Sequence, residues 1–358
     1  MAPNEKPARF SPERLRHFIT RIYQVQGLTE TDAACLADTL VLADMWGHSS
    51  HGVMRTFWYA DRMASGAINL AATSETLLDT GPLLHIDGHN GIGQVITQQV
   101  TDLVRDRARQ FGIAAIAIRN SGHFGTAMYF TRQLAEAGCV GFLATNASPA
   151  MPPTGGTEKL IGNNPQSWAA PSGMDAPFVL DIAHTAVARG KIFLAREKGE
   201  PIPIGWAMDA DGRPTDDPVR AIEGSLLPAG GHKGFGLSAM MDVLSGILPA
   251  GGFGTGVTGP YVTERPSHAG HFMMAVDIKK LRPTAEFEAD MTSMITGWHT
   301  SAKAPASDRI YYPGEMEYEA EQHARQFGIA LPEKVVGDLL TRAGQIGIDV
   351  KIEDIAIK

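Results

Sequence analysis

The wholly apolar run from Ile113 to Ile118 most constrains what this chain can fold into. A short segment with no polar position is what a strand covered on both faces requires. It stands between two stretches of helical periodicity. Gly91 to Gln110 turns Val95, Ile96, Val100, Leu103 and Val104 inward, and Thr126 to Ala137 follows a glycine-rich turn. Ser74 to Leu78 and Leu83 to Asp87 read as a strand pair around Gly81-Pro82, and Val140 to Thr145, Phe178 to Ile182 and Phe272 to Asp277 as further strands. The middle of the chain is therefore α/β.

Both ends are helical. Ser11-Pro12 caps a helix whose Leu15, Phe18, Ile19, Ile22 and Val25 recur at helical spacing up to Gly27. Thr29 to Asp32 caps a second helix through Leu36, Leu40 and Ala43, and a third runs through Trp58 and Met63 to Gly66. Helical patterns return from Glu286 to Ser301 and around Tyr318 and Val336, so residues 1-70 with about 280-358 are expected to form one discontinuous helical domain around a 71-279 domain. His184 to Lys198 reads as a helix, and Asn146 to Pro171 as a long loop of a kind that is commonly functional.

At 358 residues, 44% hydrophobic and 20% charged, the chain can bury a substantial core. The net charge, 31 minus 39 or -8, argues against a nucleic-acid or anionic-membrane surface, so a bound anion must be met by a local cationic cluster. Cys35 and Cys139 lie far apart without a CxxC, which indicates neither a disulfide framework nor a thiolate metal site. The polar start, Met1 to Phe10, argues against a secretory leader, and no run of about 18 apolar residues occurs. A cytoplasmic location is expected.

Chemistry concentrates in His48-Ser49-Ser50-His51-Gly52-Val53-Met54-Arg55. An imidazole titrates near neutrality and a guanidinium grips a carboxylate with two donors. His51 and Arg55, four apart, share a face if the segment is helical. That combination suits protonation or deprotonation of the oxygen of a 2-oxo or 2-hydroxy acid. The plain alternative is a helix C-terminus with dipole-favoured histidines and a glycine stop at Gly52. His123 follows the apolar strand at the end where α/β proteins place ligands, although a lone histidine is more often structural. Gly230-Gly231-His232-Lys233 enters a helix, as an anion site would. Gly254-Thr255-Gly256-Val257-Thr258-Gly259 spells GxGxxG, but it follows a glycine loop rather than a strand and precedes Pro260, so it is not a dinucleotide fingerprint.

His48 to Arg55, Ser121 to Tyr129, Gly155 to Pro165, Asp181 to Lys191, Gly205 to Pro218 and Gly230 to Gly236 together resemble, in order and spacing, the type 2 malate/L-lactate dehydrogenase family from about residue 10 to residue 340. That family includes L-sulfolactate, ureidoglycolate and diketogulonate dehydrogenases and Δ1-piperideine-2-carboxylate reductases. The resemblance implies a non-Rossmann α/β fold with a mainly antiparallel or mixed sheet flanked by helices, an NAD or NADP cofactor, a homodimer, and an active site in the cleft between the two domains. By motif, it gives Ser50 and His51 as the relay serine and proton donor and Arg55 as the carboxylate ligand. Asn163, Arg189 and Gly190 become further substrate contacts. His123, Phe124, Gly125, Thr126 and Ala127 resemble a cofactor segment, with His123 credited as acid/base in some members. Asp181, Ile182, Ala183, His232, Lys233 and the stretch holding Arg309 and Pro313 resemble other cofactor contacts. No metal is implied.

Departures from the family pattern fall in two places, and a further position separates its branches. Asn163 replaces a substrate-side threonine, His184-Thr185 replaces Thr-Ser after the strand aspartate, and Lys191 stands where the cyclic-imine reductases carry an aspartate. Lys191 favours a 2-hydroxyacid dehydrogenase over the Δ1-piperideine/pyrroline-2-carboxylate reductases. From another class, Asp44, His48 and His51 at i, i+4 and i+7 could hold a metal on one helical face, as in a hydrolase. A non-catalytic sensor that retains the cofactor site is a third reading.

Overall fold

The computed structural model describes residues 8–357, so the first part of the polar N-terminus lies outside the described residues. A seven-stranded sheet runs in the order β2 (Glu75–Asp79), β3 (Leu83–Asp87), β4 (Ile113–Ser121), β11 (Ala269–Asp277), β5 (Cys139–Thr145), β6 (Gln166–Ala170), β7 (Phe178–Ile182). Only the β3–β4 pair is parallel; the other neighbours are antiparallel. The late strand β11 lies between β4 and β5, so sheet order departs from chain order at its centre.

Two helices cover one face. Val100 and Val104 of α4 (Gly93–Phe111) and Phe130 and Leu134 of α5 (Met128–Glu136) pack on Ile116, Ile118, Leu143 and Met273. Across the sheet, Phe142 and Ala144 meet Met241 of α8 (His232–Asp242), which continues as a π-helical turn over Val243–Ile247. That accounts for the uniform apolarity of Ile113 to Ile118, whose residues must satisfy covers on two sides.

The terminal helices share a second core. Phe18, Ile19 and Ile22 of α1 (Pro12–Val25), Leu36 and Leu40 of α2 (Glu30–Met45), and Tyr59 and Met63 of α3 (Thr56–Ala64) cluster with Ala324 of α10 (Glu315–Phe327) and Val336, Leu339 and Ala343 of α11 (Glu333–Gln345). β1 (Arg9–Phe10) pairs with β12 (Ile329–Ala330), and the short α12 (Ile352–Ile355) adds Ile355 to the same core. Helix α9 (Thr284–His299) instead buries Ile295 against Ala176 and Tyr312 beside the β7 edge. A smaller lobe packs Ile192 of α6 (Arg189–Lys198) and Ala221 of α7 (Pro218–Glu223) with residues of β8 (Ala207–Met208) and β10 (Ser225–Leu226), and β9 (Pro214–Thr215) completes its three-stranded sheet.

Several local expectations differ from the structure. The helix expected from His184 begins only at Arg189, because Ala186 N–H bonds Leu227 O and Thr185 bridges Pro228. The long loop contains β6, whose buried Gln166 and Ser167 interrupt the apolar pattern that marks a strand. His48 to Arg55 is not one helical face. It forms two 3-10 turns, Ser49–His51 and Val53–Arg55, after α2 ends at Met45.

Glu321 ties α10 to the rest. It is 1% exposed and accepts bonds from Trp46 Nε1 at 2.9 Å, from Arg132 and from Arg325. Replacing it leaves the buried Trp46 indole N–H without its acceptor and takes from Arg132 one of its two carboxylate partners, Glu136 being the other. Glu321→Ala is expected to lower stability by about 3 kcal/mol, read as a shift of the urea unfolding midpoint without loss of two-state character.

Candidate active site

The end of α2 builds the site. The Asp44 carboxylate accepts the Val53 N–H at 2.7 Å, pulling the chain back over the helix terminus. Gly52 sits on that carboxylate so closely that a Cβ there would fall 2.2 Å from Asp44 Cγ, which forbids any other residue. Burial pushes the Asp44 carboxyl up to about 7. Asp44 is thus committed to the turn, and His48 Nε2 faces Glu317 at 3.5 Å. Asp44, His48 and His51 do not share a helical face, which removes the geometry that a metal-hydrolase reading rested on.

The turn presents Ser50, His51 and Arg55. Ser50 Oγ lies 2.9 Å from His51 Nδ1, and Arg55 Nε donates to Ser50 O at 2.8 Å. The Arg55 guanidinium stacks over Trp58 at 5.2 Å and Tyr261 at 5.5 Å, which fixes its fork while leaving donors free. His123, arriving after β4, stacks on His51 with ring centroids 5.5 Å apart and planes 14° apart. Tyr59 OH meets His123 Nδ1 at 2.6 Å. Burial, then the charges of His48 and Arg55, push the His51 imidazole down to about 4, while burial and the nearby His51 and Arg55 hold His123 well below its usual range.

Both histidines line a cavity of about 100 Å³ together with Phe124, Gly125, Asn163 and, opposite, Val257 and Thr258. The rejected GxGxxG segment therefore borders the cleft, as a short 3-10 turn (Gly254–Gly256) and a following strap. Arg62, 3% exposed, holds that strap by donating to Pro260 O, Val262 O, Arg265 O and Ser267 Oγ. Behind the cavity, Thr145 Oγ1 donates to Gly270 O at 3.0 Å and so accepts from His271 Nδ1 at 2.8 Å. Burial pushes His271 down to about 3.

The remaining expected residues are more scattered. Thr126 and Ala127 are buried behind Phe124, and Asp181 caps α5 by accepting the Met128 N–H at 2.8 Å, with Ile182 and Ala183 exposed beyond it. His232 and Lys233 are exposed at the start of α8, which Ser238 Oγ docks onto Gly162 O beside Asn163 at 2.9 Å. Arg189 and Gly190 start α6 without lining the cavity; the Arg189 guanidinium rests on Ile222 O and Phe193. Arg309 pairs with Glu315 and Glu319, and Pro313 O accepts the Val179 N–H. Trp58, Tyr59 and Arg62 are site residues that the sequence reading missed. They follow Arg55 at i+3, i+4 and i+7, the signal that would have found them.

These features define a mixed α/β protein whose cleft carries two stacked imidazoles beside a guanidinium. The family model described as malate/L-lactate dehydrogenase matches residues 10–340, and the chain belongs to that family of oxidoreductases. It is 38% identical over 357 residues to a malate dehydrogenase of Pyrococcus abyssi, covering 96% of this chain and 97% of that one. It is 34% identical over 347 residues to an L-sulfolactate dehydrogenase of Methanothermobacter thermautotrophicus, covering 97% and 100%. Its structure resembles that of sulfolactate dehydrogenase from Methanocaldococcus jannaschii with a TM-score of 0.91 at 32% identity, covering 97% of this chain and 99% of that one.

The buried titrating groups have opposite consequences for stability. His51 and His271 have folded values below the ordinary 6.5, so their contribution is whole above pH 6.5 and is lost as pH falls toward about 4 and about 3. Asp44 is raised from 3.8, so its contribution is whole below pH 3.8 and lost as pH rises through about 7. In His271→Gln the urea midpoint is expected to fall less steeply than in wild type on acidification from pH 6.5 to 4; equal slopes would show that His271 does not couple to folding.

Proposed function

We propose that this protein is an NAD- or NADP-dependent 2-hydroxyacid dehydrogenase that interconverts a small 2-oxo acid and its 2-hydroxy acid. The observation that carries this reading is the short segment from Ser50 to Arg55, which sets the His51 imidazole on the wall of a small cavity and anchors the Arg55 guanidinium on Ser50 O beside it, an imidazole for the oxygen and a guanidinium for the carboxylate. Arg55 holds the carboxylate, His51 exchanges the proton with the oxygen at C2, and Ser50 orients the His51 ring. Asn163 borders the same cavity and is proposed to contact the substrate there.

A bound nicotinamide supplies or accepts the hydride. The residues suit such a group. Gly230 and Gly231 have φ of 63° and 66° with open space where a Cβ would stand, and they lead into the exposed start of α8 with Lys233, as a phosphate cradle does. Thr126 Oγ1 is buried without a partner beside Gly125. His123 to Ala127, Asp181 to Ala183, His232, Lys233, Arg309 and Pro313 are proposed to hold the cofactor on a sheet that is not of the Rossmann kind. In this reading the terminal helices and the sheet-bearing segment are two domains that meet at the cleft. A homodimer belongs to the same proposal. The exposed Leu237, Met240, Ile247 and Leu248 give it an apolar face, and Arg189 and Gly190 lie off the cavity of their own chain.

Among the described residues no carboxylate bonds Ser50 Oγ, and Lys191 occupies the place of the cyclic-imine reductases' aspartate, which favours the oxo acid over the imine. The test is oxidation of NADH and NADPH against pyruvate, oxaloacetate, sulfopyruvate, 2-oxoglutarate, branched 2-oxo acids and cyclic imines. His51→Ala is expected to lower kcat roughly 10²–10⁴-fold, and Arg55→Ala to act mainly on KM. Near-wild-type turnover of His51→Ala together with loss in His123→Ala would move the proton to His123.

A further inference from the structure

The two stacked histidines differ in what their Nδ1 atoms touch, and the difference assigns them different work. His123 Nδ1 faces the backbone N–H of Gly125 at 3.3 Å and Tyr59 OH at 2.6 Å. A backbone N–H can only donate, so Nδ1 must accept, and the proton of the neutral ring resides on Nε2. His51 Nδ1 faces only the Ser50 hydroxyl, which donates or accepts with equal ease, so that ring keeps its partner whether neutral or charged.

We propose that His123 is a permanently neutral Nε2–H donor, held in that tautomer by Tyr59 and Gly125, and that it polarises the substrate oxygen without ever giving up its proton. The inference rests on the 2-oxo acid reading above and goes beyond it by dividing the two imidazoles into a donor and a proton carrier. During reduction the C2 carbon receives the hydride from the dihydronicotinamide and the C=O π pair moves to oxygen. That oxygen takes the Nε2 proton of His51, which is charged only once the substrate carboxylate lies beside it and becomes neutral again on giving the proton up, while the His123 Nε2–H bond stays intact. A neutral imidazole acting as an electrophile in this way needs an environment that resists its protonation. His51, Arg55, Arg62 and His271 face His123 from four elements, every one cationic or able to become so, and no carboxylate is among them; Tyr59 is a neutral phenol. A second proton on Nδ1 would also point at the Gly125 N–H.

Tyr59 is the positioning residue. It is 2% exposed on α3, and the stacked His51 and the edge of Trp58, 5.3 Å from the His123 ring, leave His123 little freedom to turn away. Among the described residues no protein group bonds His123 Nε2, and the ring borders the cavity.

The test is nitrogen NMR of the full chain labelled at histidine, with the His123 signals identified by their loss in His123→Gln. The expected spectrum shows a bare Nδ1 and a protonated Nε2 from about pH 5.5 to about pH 9; an Nδ1–H tautomer or an imidazolium in that range overturns the inference. In Tyr59→Phe, which keeps the packing, the tautomer is expected to become mixed and kcat to fall roughly tenfold with KM little changed; an unchanged spectrum and kcat removes Tyr59 from the assignment. His123→Gln, whose amide still donates, is expected to keep roughly tenfold more kcat than His123→Ala and the wild-type pH profile. Equal loss in the two variants overturns the donor role. Should wild type turn over no 2-oxo acid, the reaction assignment falls and the donor role with it, and the spectrum of the resting protein distinguishes that failure from a wrong tautomer.

Discussion

The hydrogen bond from Val53 N–H to the Asp44 carboxylate governs the geometry of the cleft. It folds the chain back across the end of α2, and Gly52 allows it because no side chain fits over the carboxylate. With that bond in place, His51 stacks on His123 and Arg55 becomes the first residue of the platform continued by Trp58, Tyr59 and Arg62. The carboxyl is half-buried, and its acceptance of a backbone donor offsets part of the cost of that burial.

Arg62 performs a similar task on the opposite wall. A guanidinium at 3% exposure facing carbonyls and one hydroxyl is an unusual burial, and its two terminal nitrogens donate to four oxygens of the segment from Pro260 to Ser267. The glycine-rich segment leading into that strap can therefore pass beside the cavity without regular structure of its own. The sheet closes the remaining side: β4 delivers His123, β5 delivers Thr145, and β11 places His271 between them.

Much of the fold was legible from periodicity. The apolar run at Ile113 to Ile118, the capped helices at both ends and the strand at Phe178 to Ile182 stand where their patterns place them, because apolar spacing reports directly which residues are packed against. β6 was hidden because Gln166 and Ser167 are buried polar residues satisfied by neighbours, Ser167 by Thr131, which no pattern of hydrophobicity records. The start of α6 was misplaced because His184 to Val187 are held by strand-like bonds to residues some forty positions later. In the site, chemical type singled out Ser50, His51, Arg55 and His123, whereas Tyr59 and Arg62 carry ordinary helix-surface identities and acquire meaning only from what they face.

By itself the sequence determined the α/β class, the helical ends and the family, and it singled out the candidate side chains by their chemistry, since these follow from local spacing and residue type. Only the tertiary structure decided that Asp44 accepts the Val53 N–H and shares no helical face with His48 and His51, and that His51 stacks on His123. It also decided that Tyr59 and the Gly125 N–H settle which nitrogen of His123 carries the proton. Those outcomes depend on distances between groups far apart in the chain, and hydrogen-bond direction and desolvation are properties of such pairs rather than of any residue alone.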